Sequence, residues 1–291
     1  MTWPLVLTAL PAFLVEAVFY ASLGSEALRR RLEKLPEALL AALLTASAVI
    51  PYCLATAAFG TFSWTNLGWI ALLSGAASFW FVALPKKPAS DVLLLVFMAT
   101  VWIAALFKHW YVCPYPKLQL PVLGQLMWFR TGLFAFLSIR KVQGVGFGFF
   151  PSAEDWKIGA LHYAAFVPVA AVVAHFIHFA NPRWPQGGWE KAIATFFGIL
   201  WVVALAEEFF FRGLLQQWLT KWSNATVGLI AASLLFGSVH LFYHQFPNWR
   251  FAILASLAGL FYGAAFNRAK SIKASMVAHA LVVTTWKLFF A

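Results

Sequence analysis

Long apolar stretches separated by short polar breaks run through the whole chain, and this pattern predicts its secondary structure. A helix needs about 20 mostly apolar residues to cross a bilayer. By that measure we predict ten spanning helices, at residues 4–23, 38–59, 66–84, 90–110, 118–139, 158–179, 192–214, 225–243, 250–267 and 271–289. Glycine, proline and arginine punctuate the breaks between them. The predicted fold is therefore all-α, a polytopic transmembrane helix bundle.

The composition supports a membrane protein. Hydrophobic residues make up 62% of the 291 residues and charged residues 11%, whereas a soluble domain has roughly 45–50% and about 25%. The N-terminal stretch 1–23 has no basic residues ahead of its apolar run, so we predict a retained first helix and not a cleaved signal peptide. The lipid bilayer is the expected surrounding of this chain.

The net charge of +11 would suggest a nucleic-acid partner in a soluble protein. Here the basic residues lie mainly in short loops, where they indicate topology, and we predict no nucleic-acid partner. The loops that follow helices one, three, five, seven and nine hold fourteen Lys and Arg residues, against six on the opposite side, with Arg130 in mid-helix left out. This bias predicts an integral, multi-pass protein in a cytoplasmic (inner) membrane of the bacterial type, with both termini outside.

Two adjacent carboxylates and a guanidinium interrupt the seventh apolar stretch, at Glu207, Glu208 and Arg212. Ionisable groups at such depth are costly unless they are paired or face a wet cavity, so they are functional candidates. Residues four apart share a helix face, so we expect Glu208 to pair with Arg212 while Glu207 points elsewhere. A free carboxylate suits a general base. A polar cluster at a helix end is the alternative, and the polar residues at 216–221 favour it.

His240 is predicted to lie level with Glu207. The turn between the seventh and eighth helices falls near Ser223 and Asn224, about 16 residues from each of them. At 1.5 Å rise per residue, both lie roughly 25 Å from the turn. An antiparallel hairpin would therefore bring the carboxylate and the imidazole together.

His279 lies two turns into the last helix, with Ser275 one turn earlier on the same face. A lone histidine inside a membrane often makes only a hydrogen bond between helices, and that alternative stays open. Gly259 and Gly263 are spaced four apart in the ninth helix, which predicts close helix packing.

A free glutamate and two histidines in a dry cavity are sufficient for amide hydrolysis. The carboxylate can take a proton from water, one imidazole can orient that water, and the other can donate to the oxyanion of a tetrahedral intermediate. Neither a nucleophilic serine or cysteine nor a cofactor is needed. The two cysteines, Cys53 and Cys113, are too few and too far apart for a cysteine zinc site or a disulfide framework, and we expect free thiols.

These residues resemble the CAAX-processing and bacteriocin-processing (CPBP) family of glutamate-type intramembrane proteases, which includes the type II CAAX endopeptidases. The family carries the motifs EExxxR, FxxxH and HxxxN or HxxxD on three helices. The matching residues are Glu207, Glu208 and Arg212 for the first motif, Phe236 and His240 for the second, and His279 for the third. The resemblance covers roughly residues 125–291, and the first four helices fall outside it.

The resemblance implies a role for each motif residue. Glu207 would activate the water, His240 would help to position it, and His279 would stabilise the oxyanion. Glu208 with Arg212, and Phe236, would be supporting residues. The third motif departs from the family at Val283, where Asn or Asp is expected, and losing one oxyanion donor costs about 10² to 10³ in rate.

The domain prediction follows from the same resemblance. We expect an N-terminal four-helix membrane extension at 1–117 and a CPBP-like catalytic membrane domain at 118–291. The predicted function is an intramembrane endopeptidase that cuts a membrane-associated protein or peptide. A prenylated CaaX tail, a bacteriocin leader and a C-terminal sorting segment are all compatible substrates.

Two alternatives remain open from the sequence. One is a non-proteolytic scaffold, transporter or immunity protein on the same fold, which Val283 keeps open. The other is a metal-dependent membrane hydrolase, in which His240, His244 and Glu207 would bind zinc. The zincin pattern HExxH is absent, so we predict no metal and no cofactor. Arg130, in the middle of the fifth predicted helix, suits either a substrate carboxylate or a pair between helices, and Glu16 has no assignable partner.

Overall fold

The computed structural model describes residues 3–115, 117–179, 188–243 and 245–290. Within these ranges every regular element is a helix and there is no β-strand. The chain forms two compact units, Met1–Gln143 and Gly144–Ala291. The prediction of an all-α polytopic bundle is confirmed.

Eight helices in the described ranges are long and apolar enough to cross a membrane. Two of the ten predicted spans are not among them. The span predicted over 90–110 is wrong as one helix, because Ala105 adopts a left-handed backbone with φ of 52° and interrupts it. The last predicted helix is present as Ile272–Phe289. It is not among the eight because its serine, histidine, threonine and lysine side chains lower its mean hydropathy.

The described residues of the first unit form seven α-helices. They are α1 (Trp3–Ser22), α2 (Glu26–Leu32), α3 (Glu37–Ala58), α4 (Trp64–Ala83), α5 (Pro88–Ile103), α6 (Phe107–Trp110) and α7 (Pro121–Phe134), and α7 continues as a π-helix over Ala135–Ile139. Helix α7 packs against α1, α3 and α4. The compact units divide at Gln143, so α7 belongs to the first unit, although it lies in the predicted catalytic domain 118–291. The domain boundary at residue 117 stays a prediction.

A buried ion pair joins three helices of the first unit. Arg130 on α7 donates from Nε and Nη2 to the two carboxylate oxygens of Glu16 on α1, at 2.9 and 3.2 Å. Its Nη1 donates to the hydroxyl of Ser47 on α3 at 2.7 Å. The side chains of Arg130 and Glu16 are only 3% and 0% exposed, so each charge depends on the other. Of the two roles open to Arg130, the structure supports the pair between helices.

The second unit begins with α8 (Ala153–Phe176) and continues with one long composite helix from Trp189 to Trp222. Its segments are α9 (Trp189–Gly198), a π-helix (Ile199–Ala204), α10 (Leu205–Glu208), a second π-helix (Phe209–Gln216) and α11 (Gln217–Trp222). The remaining helices are α12 (Ala225–Val239), which ends in a 3₁₀ turn (His240–Phe242), α13 (Trp249–Ala269) and α14 (Ile272–Phe289). Helix α13 packs against α8, α12 and α14.

The glycine-rich loop before α8 holds the start of α14. Gly146 has φ of 61°, and a Cβ at this position would lie 2.5 Å from Cα of Ser271. The close approach lets the Ile272 amide donate to the carbonyl of Val145 at 3.0 Å and the Ser271 hydroxyl donate to the carbonyl of Gly146 at 3.2 Å. This contact fixes where α14, the helix that carries His279, begins.

Side chains cap the N-terminus of α8. The hydroxyl of Ser152 accepts from the amide of Asp155, and the Asp155 carboxylate accepts from the amide of Ser152, which is a capping box. The same carboxylate lies 3.2 Å from Nζ of Lys273 on α14. The cap therefore also links α8 to α14.

Candidate active site

Glu207 and Glu208 lie on a four-residue α-helical segment between two π-helical segments. A π-helix is a rare element that is found mostly as single turns at functional sites. The 3.6-residue periodicity of the sequence did not predict it, because an apolar stretch carries no signal for the change in helix type. The two carboxylates thus lie on a short regular turn that is flanked on both sides by irregular helix.

Glu208 is fully buried and is held by two partners. Its carboxylate oxygen Oε2 lies 3.2 Å from Nε of Arg212, as the four-residue spacing predicts. Its Oε1 lies 2.7 Å from Nδ1 of His279, a contact that the sequence analysis did not predict. Arg212 in turn donates from Nη2 to the carbonyl of Gly259 on α13 at 3.0 Å. Glu208 is therefore fixed between α13 and α14.

Glu207 is the less constrained of the two carboxylates. Its side chain is 26% exposed, and its Oε2 lies 3.9 Å from Nε2 of His279. In the described part of the chain this Oε2 has no hydrogen-bond partner. A separation of 3.9 Å is too long for a direct hydrogen bond, but one oxygen atom could lie about 2.8 Å from both groups.

His240 lies in the 3₁₀ turn at the end of α12. Asn224 caps the start of this helix by accepting from the amide of Val227 at 3.0 Å, so the hairpin turn falls where it was predicted. Nδ1 of His240 lies 2.8 Å from the carbonyl of Phe236. A carbonyl only accepts, so Nδ1 carries the hydrogen and Nε2 is left for the site. His240 is close enough to Glu207 and His279 for their charges to interact.

Phe236 is the apolar centre of the site. Its ring centroid lies 4.9 Å from that of His240 and 5.9 Å from that of His279. The guanidinium of Arg212 lies 4.5 Å from the same centroid, within the range of a cation–π interaction. The FxxxH motif thus supplies both His240 and the ring that packs against His279 and Arg212.

Tyr262 on α13 is a site residue that the motifs do not contain. Its ring stacks on the imidazole of His279, with the centroids 4.7 Å apart and the planes 12° from parallel. It lies between Gly259 and Gly263, in the segment that predicted close helix packing. The spacing of the two glycines is the sequence feature that could have identified Tyr262, because a side chain between two such glycines lies close to the neighbouring helices.

The close packing at these glycines is confirmed. A Cβ at Gly263 would lie 2.4 Å from Oε1 of Gln216 and 2.4 Å from Cδ1 of Leu229. A Cβ at Gly259 would lie 3.0 Å from Cα of Ser233. Only glycine lets α13 approach its neighbours this closely, so the two glycines set the depth of Tyr262.

The structure brings all the motif residues into one cluster.

Among the described residues, no group of three or more His, Cys, Asp and Glu side chains could hold a metal ion. His244, which completes the zinc set considered above, lies outside the described residues. Val283 is half-buried and supplies no donor. Cys53 and Cys113 are both free thiols.

The comparison with protein families agrees with the motifs. Residues 189–285 match the family model described as Rce1-like, type II CAAX prenyl endopeptidase Rce1-like. The match covers about a third of the chain and includes every motif residue. No curated protein and no solved structure matches the chain. The resemblance drawn from the motifs is confirmed.

Proposed function

We propose that this multi-pass membrane protein, whose residues 189–285 match the type II CAAX prenyl endopeptidase family, is an intramembrane endopeptidase of the glutamate type. It hydrolyses a peptide bond in a membrane-associated protein or peptide. The observation that carries the proposal is the contrast between the two carboxylates. Oε1 of Glu208 accepts a 2.7 Å hydrogen bond from His279, and its Oε2 lies 3.2 Å from the guanidinium of Arg212. Oε2 of neither glutamate has a hydrogen-bond partner among the described residues, but that of Glu207 also lacks such a close cation and lies 3.9 Å from Nε2 of His279.

In the proposed reaction Glu207 is the general base. It takes a proton from a water molecule whose oxygen attacks the carbonyl carbon of the scissile bond. His240 accepts a hydrogen bond from that water at Nε2, because its Nδ1 hydrogen is held by the carbonyl of Phe236. When the carbon–nitrogen bond breaks, Glu207 returns its proton to the leaving amine. No cofactor takes part.

His279 stabilises the oxyanion of the tetrahedral intermediate. Its Nδ1 is engaged by the carboxylate of Glu208, so donation from Nε2 requires the doubly protonated ring. The Glu208 carboxylate is a suitable counter-ion for that imidazolium. Arg212 supports the arrangement by holding Glu208 in place.

The topology proposed with this function follows the positive-inside bias. The proposed topology takes Pro88–Ile103 as a short spanning helix, so that the alternation of the ten predicted spans is kept. Without the buried Arg212, thirteen basic residues on one side against six on the other then favour both termini outside a cytoplasmic membrane of the bacterial type. The hairpin turn at residues 223–224 then faces the cytoplasm, and Glu207 and His240 lie roughly 25 Å from that turn, within the bilayer.

The experiment that tests the proposed function compares membrane proteins from cells with and without this protein. We expect at least one membrane protein to acquire a new cleaved terminus only when the protein is present. The metal-dependent alternative predicts that a chelator abolishes this cleavage and that zinc restores it. A membrane proteome with the same termini in both cells would contradict the proposal and favour the non-proteolytic alternative.

A further inference from the structure

Tyr262 contacts His279 through its side chain and α14 through its backbone. The ring stacks at 4.7 Å on the imidazole of His279. The carbonyl of Tyr262 accepts a 2.8 Å hydrogen bond from the hydroxyl of Ser275, which lies one turn before His279 on α14. The residue is 2% exposed. Both contacts fix Tyr262 relative to the helix that carries His279.

Two further groups contact the ring of Tyr262. The guanidinium of Arg212 lies 5.4 Å from the Tyr262 ring centroid. The ring of Phe236 meets it edge to face at 6.0 Å. The Tyr262 ring is therefore immobilised by groups on three other helices, and it forms a rigid surface for the imidazole.

An imidazole ring needs two constraints to aim one of its nitrogens. A hydrogen bond at Nδ1 restrains rotation of the ring about its Cβ–Cγ bond, but hydrogen bonds tolerate a range of angles, so the ring plane can still tilt. A flat surface in contact with the ring limits this tilt. Glu208 supplies the hydrogen bond at 2.7 Å and Tyr262 supplies the surface, with planes 12° apart. Together they direct Nε2 of His279 toward Glu207.

We propose that Tyr262 is a positioning residue that sets the plane of the His279 imidazole by stacking, and so directs Nε2 toward Glu207. This inference rests on the proposed function, because it assigns a purpose to the orientation of His279. The hydroxyl of Tyr262 is not needed for this role. The inference adds to the three motifs a residue that none of them contains.

The test uses variants that separate the ring from the hydroxyl. Tyr262→Phe keeps the stacking surface, whereas Tyr262→Leu and Tyr262→Met remove it, and Met fills the space better if the Leu variant does not fold. Phe166→Leu is the matched control. It removes a ring from the same apolar cluster, one that packs on Phe261 and does not contact the imidazole of His279.

The first readout is the NMR spectrum of histidine-labelled protein in detergent, which needs no substrate. Ring protons of His279, identified by their loss in His279→Gln, should be shifted upfield by the stacked tyrosine. We expect the shift to persist in Tyr262→Phe and in Phe166→Leu and to disappear in Tyr262→Leu. An unshifted His279 in the wild type, or the same shift in Tyr262→Leu, would overturn the proposal.

The second readout is cleavage of a farnesylated peptide that ends in a CaaX sequence and carries a quenched fluorophore. Misplacing a catalytic group by about 1 Å can cost about 10² in rate. We expect kcat to fall about 10- to 100-fold in Tyr262→Leu with KM little changed, and to stay within about 3-fold in Tyr262→Phe. A Phe variant as slow as the Leu variant would show that the hydroxyl matters and would refute positioning by stacking. An active Glu207→Gln protein would instead refute the proposed function itself.

Discussion

The Nδ1 atom of His279 donates a 2.7 Å hydrogen bond to the buried carboxylate of Glu208. The two glutamates therefore have different surroundings. Glu208 contacts a histidine that is 71 residues away in the sequence, whereas Oε2 of Glu207 has no hydrogen-bond partner among the described residues, and we propose that Glu207 acts on the substrate. A carboxylate that fixes the tautomer of a histidine is a common feature of hydrolytic sites.

Replacing Glu208 by glutamine should reduce both activity and stability. The amide cannot neutralise Arg212, and leaving one partner of a buried pair uncompensated costs about 3 to 5 kcal/mol. It also weakens the hydrogen bond that orients His279. We expect a lower unfolding temperature in detergent and a fall in kcat of about 10². The pair of Glu26 and Arg30 on α2 offers a control, because its side chains are 64% and 75% exposed and such pairs contribute little, so Glu26→Gln should leave both quantities nearly unchanged.

If Glu208→Gln unfolds at the wild-type temperature and keeps its kcat, then the contact with His279 contributes to neither stability nor catalysis. The proposed division of roles between the two glutamates would then be wrong.

Val283→Asn should increase the rate of a protease that lacks one oxyanion donor. Val283 lies one turn after His279 on α14, at the position where the family carries Asn or Asp. One such donor is worth about 10² to 10³ in kcat. We expect a gain of about 10-fold or more in cleavage of the farnesylated CaaX peptide. Val283→Leu is the control, because it changes the side chain at the same position without adding a hydrogen-bond donor.

An unchanged or lower rate in Val283→Asn, with normal folding, would contradict the missing-donor account. It would mean that another group already fills this place in the site, or that the cluster serves binding and not hydrolysis.

Gly263→Ala should move α13 and disturb the site through Tyr262. The added Cβ would lie 2.4 Å from both Oε1 of Gln216 and Cδ1 of Leu229. Overpacking of this kind costs about 1 to 3 kcal/mol. We expect a lower free energy of unfolding and a lower kcat. Gly198→Ala, where a Cβ would have no atom within 4 Å, should be harmless. Equal behaviour of the two variants would refute the packing argument.

The pair formed by Glu16 and Arg130 should be a structural link within the first unit. Glu16→Gln leaves a buried guanidinium without its counter-ion, which costs about 3 to 5 kcal/mol of stability. Replacing both residues by apolar ones, as in Glu16→Leu with Arg130→Met, should restore most of that loss. Denaturant unfolding in detergent measures both variants. A double variant less stable than Glu16→Gln would contradict a purely structural role.

The sequence predicted the parts of the site that depend on local spacing. The pairing of Glu208 with Arg212 follows from four-residue periodicity, and the turn at Asn224 follows from its position between two apolar stretches. The contact of His279 with Glu208 joins residues 71 positions apart, and its contact with Tyr262 joins the consecutive helices α13 and α14. No local pattern encodes either contact. The partner of Glu16 was missed for the same reason, since Arg130 lies 114 residues away.

The break in the span at 90–110 could not be predicted because its cause is the backbone of one alanine. Ala105 has φ of 52°, and alanine is a residue that normally favours helix. No feature of the sequence predicts the π-helical segments on either side of Glu207. In both places the tertiary packing determines the backbone, and the local residues only tolerate it.

The central claim is that Glu207 is the general base of a peptide hydrolase, and Glu207→Gln tests it most directly. Cells that produce the wild type, Glu207→Gln or the control Glu190→Gln are compared by their cleaved membrane-protein termini. Glu190 is exposed at the start of the same composite helix. We predict cleaved termini with the wild type and with Glu190→Gln, and none with a Glu207→Gln protein present at the same level. Cleavage by Glu207→Gln at the wild-type rate would contradict the account.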